Sequence, residues 1–153
     1  MRHGDFDRIF EILPNLYMTT YNQILKAKHD FFQVNCTRDL PMVRSHGIRI
    51  PVDDDPCEVY TMLCSINEAV KKIDDELAIP GNKVIVHCLA AISRSPSIIC
   101  AYLMWKKNMS LDAAIDYVRS IRKEAFMFSM NFRECLEEFE QQLTTINIEK
   151  NDL

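Results

Sequence analysis

Val84-Ile85-Val86-His87-Cys88-Leu89-Ala90-Ala91-Ile92-Ser93-Arg94-Ser95-Pro96 is an apolar run that passes through small residues into a proline. Val84, Ile85 and Val86 are β-branched and predict a strand buried on both faces, which would deliver Cys88 to the top of a sheet. Pro96 suits the first position of a helix, where its missing N–H costs nothing, and apolar residues at helical spacing continue that helix over 98–107. The residues between strand and proline therefore form a loop at a helix N-terminus. Unpaired N–H groups and the positive end of the helix dipole favour an anion there.

Cys88 and Arg94 bracket that loop with five residues between them. The field of the helix end and the nearby guanidinium favour the thiolate, the form of cysteine that attacks. Arg94 offers a planar fork able to hold two phosphoryl oxygens and the charge that spreads over them during transfer. Ser95 is placed to donate its hydroxyl to the Cys88 sulfur, and His87 is expected to orient the loop rather than react. Transfer from a poor leaving group also needs an acid. Asp53, Asp54 and Asp55 are the candidates, and Asp55-Pro56-Cys57-Glu58 reads as a helix start in which Asp55 is the N-cap and Glu58 completes a capping box. Asp53 and Asp54 remain for chemistry.

These residues resemble the signature of the dual-specificity branch of the cysteine-based protein phosphatases, His-Cys-x-x-Gly-x-x-Arg-Ser/Thr. The likeness extends from Leu13-Pro14-Asn15-Leu16-Tyr17, which resembles that family's opening strand, through Ile50-Pro51-Val52-Asp53-Asp54 to Ala101-Tyr102-Leu103-Met104 and Met109-Ser110-Leu111-Asp112-Ala113-Ala114. It covers about 9–143 of a chain read as one phosphatase domain over 1–153. The resemblance implies an α/β fold with a central, mostly parallel sheet flanked by helices. It assigns phosphate binding to the loop Leu89, Ala90, Ala91, Ile92, Ser93 and Arg94, and points to Asp54 as the acid, with Asp53 as the alternative. Asn131 matches a recurrent family asparagine and is given a supporting, structural role. No cofactor and no metal are implied.

One position departs from the signature: the family's loop glycine is Ala91 here. The resemblance implies a left-handed backbone there, which a Cβ disfavours although the N–H survives. Two function classes follow. The first is a phosphoprotein phosphatase acting on phosphotyrosine, and on phosphoserine and phosphothreonine as well, through a cysteinyl-phosphate. The alternative is a phosphate-binding adaptor whose catalysis is weakened at Ala91. A phosphoinositide or RNA phosphatase is a third reading, disfavoured because Leu89, Ala90, Ala91, Ile92 and Ser93 carry no charge to meet a further phosphate.

Composition agrees with this reading. The chain has 153 residues, 48% of them hydrophobic, and a net charge of −4, without the basic stripe that a nucleic-acid partner would require. The expected partner is a phosphorylated protein. No signal core and no run long enough to enter a membrane appear, so a cytoplasmic protein, or a nuclear one, is expected. The six cysteines lack zinc-ligand spacing, and all except Cys88 are read as reduced core or surface thiols.

Strand-like Phe31-Phe32-Gln33-Val34 and Ile48-Arg49-Ile50 alternate with helical patterns, as an α/β layer fold requires. Val59, Met62, Leu63, Ile66, Val70, Ile73 and Leu77 mark a crossover helix ahead of the strand at Val84. Ser110 caps a helix reaching Ile121, and Phe132, Leu136, Phe139 and Leu143 form the stripe of a last one. Between these helices, Phe126-Met127-Phe128 is expected to pack beneath the site.

Overall fold

A computed structural model describes residues 8–151, with side chains through residue 146. Its elements are β1 (Phe10–Leu13), β2 (Leu16–Thr19), α1 (Tyr21–Lys26), β3 (Phe31–Asn35), β4 (Gly47–Arg49), a single 3-10 turn (Pro56–Glu58), α2 (Val59–Leu77), β5 (Lys83–His87), α3 (Arg94–Lys107), α4 (Leu111–Ile121) and α5 (Arg133–Asn151). The sheet runs β1-β2-β5-β3-β4. Only the β1–β2 pair is antiparallel, so β5 lies between two parallel neighbours and is covered on both faces.

Alternation along β5 divides the interior. Val84 and Val86 face the main core built by α2 to α5, while Ile85 joins Phe31 and Ile24 in a smaller cluster under α1. The crossover through α2 returns the chain from β4 to β5 and makes those strands parallel. Every parallel strand thus ends on the same side of the sheet, where the following loops gather. Helix α3 is buried nearly all round because α2, α4 and α5 all pack on it. Among the described residues no helix is long and apolar enough to cross a membrane.

Four local expectations change. The segment 13–17 is not one strand but the turn of a hairpin: Pro14 has no N–H for a ladder, and Asn15 takes φ 69, a left-handed conformation that asparagine tolerates. Helix α3 starts at Arg94 instead of Pro96, which falls inside the first turn, where an N–H would be unpaired in any case. Asp55 does cap the 3-10 turn, accepting from Cys57 N–H at 2.8 Å. The capping box does not form, because the Glu58 carboxylate pairs with Arg38 and the Asp55 N–H donates to the Asp53 carbonyl at 3.0 Å. Finally, Phe126 is buried, whereas Phe128 stands out with 78% of its surface exposed.

Candidate active site

The strand β5 ends at His87, and the next six carbonyls are all taken by donors of the surrounding scaffold. Cys88 O accepts from His87 Nδ1 (3.0 Å), Leu89 O from Tyr21 N (3.0 Å), Ala90 O from Arg122 Nη2 (2.9 Å) and Ala91 O from Arg122 Nε (3.0 Å). Ile92 O accepts from Phe126 N (2.6 Å), and Ser93 O from Ser97 N (3.0 Å) and Ser97 Oγ (2.7 Å). A trans peptide points its N–H opposite to its C=O. Fixing these carbonyls outward therefore turns the N–H groups of residues 89–94 toward the inside of the loop. Amides turned inward in this way at a helix start are able to hold an anion.

Cys88 sits at the base of that loop, buried, with Sγ 3.2 Å from Ser95 Oγ. His87 is fixed from behind by a residue that the sequence reading did not single out. Gln33 Oε1 accepts from Val43 N (2.9 Å) and Arg44 N (3.1 Å), so its amide nitrogen is the group that donates to His87 Nε2 (2.8 Å). Nδ1 then carries the ring proton and donates it to the Cys88 carbonyl. Burial, followed by the positive charges of Arg49 and Arg94, pushes the His87 pKa down and keeps the ring neutral; the Cys88 carbonyl opposes this in part. A glutamine in the middle of an apolar strand was the available signal, since a buried amide must find partners.

Ala91 adopts φ 55, the left-handed conformation the resemblance implied, and is fully buried. A Cβ in that region costs on the order of 1–2 kcal/mol. Phe126 is also left-handed, at φ 60, and its N–H is the one that reaches Ile92 O. Ala91 also meets Arg122, whose side chain is wholly buried. Besides the two loop carbonyls, its guanidinium meets the Glu124 carboxylate at 3.4 Å and lies 4.8 Å from the centre of the Phe10 ring. An arginine just after Ile121 reads in sequence as a helix-end charge, so nothing there disclosed this contact.

The acidic segment approaches from β4. Arg94 Nη1 donates to the Val52 carbonyl at 3.1 Å, joining that segment to the loop. Asp53 and Asp54 then separate in role. Asp53 turns to Arg38 (Nε to Oδ2, 3.5 Å) and is exposed. Asp54 accepts from Asn131 Nδ2 at both its side chain (2.9 Å) and its carbonyl (3.2 Å). The segment from Phe126 to Asn131 thus touches the loop at one end and Asp54 at the other.

Cys36 follows β3 as Cys88 follows β5, and its N–H donates to the His87 carbonyl at 2.8 Å. Burial, reinforced by Cys88, pushes its thiol pKa far up. Burial likewise raises Cys100 and Cys135 to about 12, while Cys57 and Cys64 are exposed. Among the described residues no cluster of three or more histidine, cysteine or acidic side chains is placed to hold a metal.

Residues 16–142 match the family described as dual specificity phosphatase, catalytic domain. Human dual specificity protein phosphatase 16 is 33% identical over 143 residues, covering 86% of this chain and 21% of that protein. The chain thus spans about a fifth of the length of that curated relative. Protein 123R of Invertebrate iridescent virus 6, named for a tyrosine phosphatase, is 31% identical and is matched over 90% of this chain and 95% of its own. A crystal structure of human DUSP28 superposes with a TM-score of 0.76 at 25% identity, over 90% of this chain and 97% of that one. With 127 of its 153 residues inside the matched region, and a loop of this form at the end of its central strand, the chain belongs to the dual specificity phosphatase catalytic-domain family.

Proposed function

We propose that this domain is a cysteine-dependent phosphoprotein phosphatase that hydrolyses phosphotyrosine, and phosphoserine and phosphothreonine with it. The observation that carries the reading is the loop, whose carbonyls at residues 88–93 are all turned outward around a buried Cys88 at the start of α3. Cys88 thiolate attacks phosphorus, while Arg94 and the loop N–H groups hold the equatorial oxygens. Ser93 Oγ is buried and has no partner among the described residues, so it is a further donor for a phosphoryl oxygen. Asp54, held by Asn131, gives its proton to the departing oxygen. Asp54 carboxylate then takes a proton from water, which attacks the cysteinyl-phosphate, and the Ser95 hydroxyl donates to the sulfur as it leaves.

The left-handed Ala91 supports turnover over the adaptor reading, because its N–H takes the direction a glycine's would. Uncharged loop side chains, with Leu89 57% exposed at the mouth, favour a singly phosphorylated protein side chain over a polyphosphorylated lipid head group. A cytoplasmic or nuclear setting, where thiols stay reduced, goes with this chemistry. The test is hydrolysis of an activated aryl phosphate and of phosphotyrosine peptides. Cys88→Ser should abolish turnover while inorganic phosphate still binds; a serine variant with wild-type rates would remove Cys88 from the mechanism.

A further inference from the structure

We propose that Arg122 is the positioning residue that holds Ala91 in its left-handed conformation, giving this glycine-free loop a shape that a glycine adopts without help. The inference rests on reading residues 88–94 as a phosphate loop. Arg122 spends two N–H groups, Nη2 and Nε, on the carbonyls of Ala90 and Ala91, which lie on either side of the strained residue. A rigid guanidinium that grips both neighbouring peptides fixes ψ of residue 90, both dihedrals of residue 91 and φ of residue 92. The N–H groups of Ala91 and Ile92, on the far side of those same peptides, are thereby aimed into the cradle. Lysine has a single ammonium and lacks the fork, so it cannot span the two carbonyls in one plane.

The surroundings fit this task. Glu124 meets the guanidinium at 3.4 Å and the Phe10 ring covers it at 4.8 Å, so the fork is held without exposure to water. The turn that follows continues the grip. Ala125 N donates to the Arg122 carbonyl at 3.0 Å, and Phe126, itself left-handed, donates its N–H to Ile92 O. Three successive loop carbonyls therefore hang on five residues of chain, 122–126. Glycine at position 91 would enter the left-handed region without cost and should need this clamp less.

The distinguishing measurement is a double-mutant cycle between positions 122 and 91. It is read as inorganic phosphate affinity by calorimetry in the Cys88→Ser protein, with thermal unfolding followed alongside. Arg122→Lys should weaken phosphate binding about tenfold or more. Adding Ala91→Gly to it should restore most of that loss, whereas Ala91→Gly with Arg122 in place should improve binding by no more than about threefold. A merely structural Arg122 would give Ala91→Gly the same factor in both backgrounds, and that result overturns the proposal. So does an Arg122→Lys protein that binds phosphate as the parent does. Should Arg122→Lys fail to fold, Ala91→Gly decides alone: a gain above about tenfold would mean that Arg122 was not holding the loop, and a gain of threefold or less would support it. Coupled phosphate binding without aryl phosphate turnover in the Cys88 protein would remove the phosphatase reading and leave this one standing; turnover without coupling would do the reverse.

Discussion

Residues 88–93 and residues 52–55 meet where Arg94 donates to the Val52 carbonyl, yet they are held by opposite means. Each carbonyl of the first segment accepts a bond from the scaffold, and Cys88, Ala91, Ser93 and Arg122 are all buried. The second segment is largely exposed, and its two central carboxylates depend on one side chain each, Arg38 for Asp53 and Asn131 for Asp54. On the proposed reading the first segment cradles transition-state charge through dipoles that do not reorganise, so rigidity serves it. The acid proposed for the second segment must follow a leaving group of variable size, and a lightly tethered loop permits that. Substitutions in the two loops should therefore fail differently: the first in phosphate binding, the second in proton delivery.

The largest expected difference is at Asp54. Asp54→Asn should lower kcat by about 10²–10⁴-fold on phenyl phosphate, whose leaving group needs a proton, and by much less on an activated aryl phosphate. Phosphate affinity should move little. Equal losses on the two substrates would show that Asp54 is not the acid. A smaller effect separates the two tethers. Asn131→Ala should reduce kcat on phenyl phosphate by about three- to tenfold, the worth of roughly one hydrogen bond. Asp53→Asn, in an exposed pair, should change it by less than about twofold; the reverse ranking would transfer the acid role to Asp53.

The rigid segment makes a subtler prediction through pH. Native His87 is kept neutral by burial, while in the unfolded chain it protonates near its ordinary value of about 6.5. The unfolded state then binds more protons, so this stabilising contribution is complete above pH of about 6.5 and declines as the pH falls below it. Urea unfolding midpoints between pH 7.5 and 5.5 should drop in the wild type, and drop less steeply in His87→Gln. Parallel slopes would mean that other groups carry the decline.

How much of this was legible in the chain varies with distance along it. Local features were readable: Val84-Ile85-Val86 as a doubly buried strand, the crossover helix from its apolar spacing, and Ser110 as the cap that accepts from Ala113 N at 3.1 Å. Asp54 and Asn131 were marked separately by resemblance, but nothing in the sequence joined two residues 77 positions apart. Gln33 left a trace, as a lone amide in an apolar strand, and Arg122 left none. The hairpin at Asn15 was missed because a short apolar run around Pro14 does not distinguish one strand from two.

By itself the sequence determined the order of elements from β3 to α5, the placing of Cys88 and Arg94 at a strand-to-helix junction, and the absence of a glycine from the loop between them. These follow from periodicity, caps and side-chain chemistry within a few residues of one another. Only the tertiary structure decided that Ala91 is left-handed, that Arg122 and Phe126 sit beneath it, and which aspartate Asn131 holds. The physical reason lies in the acceptors: what shapes this loop is its row of backbone carbonyls. A carbonyl is the same at every position, so the donors to the four carbonyls of residues 89–92, found at positions 21, 122 and 126, leave no pattern in the sequence around Cys88.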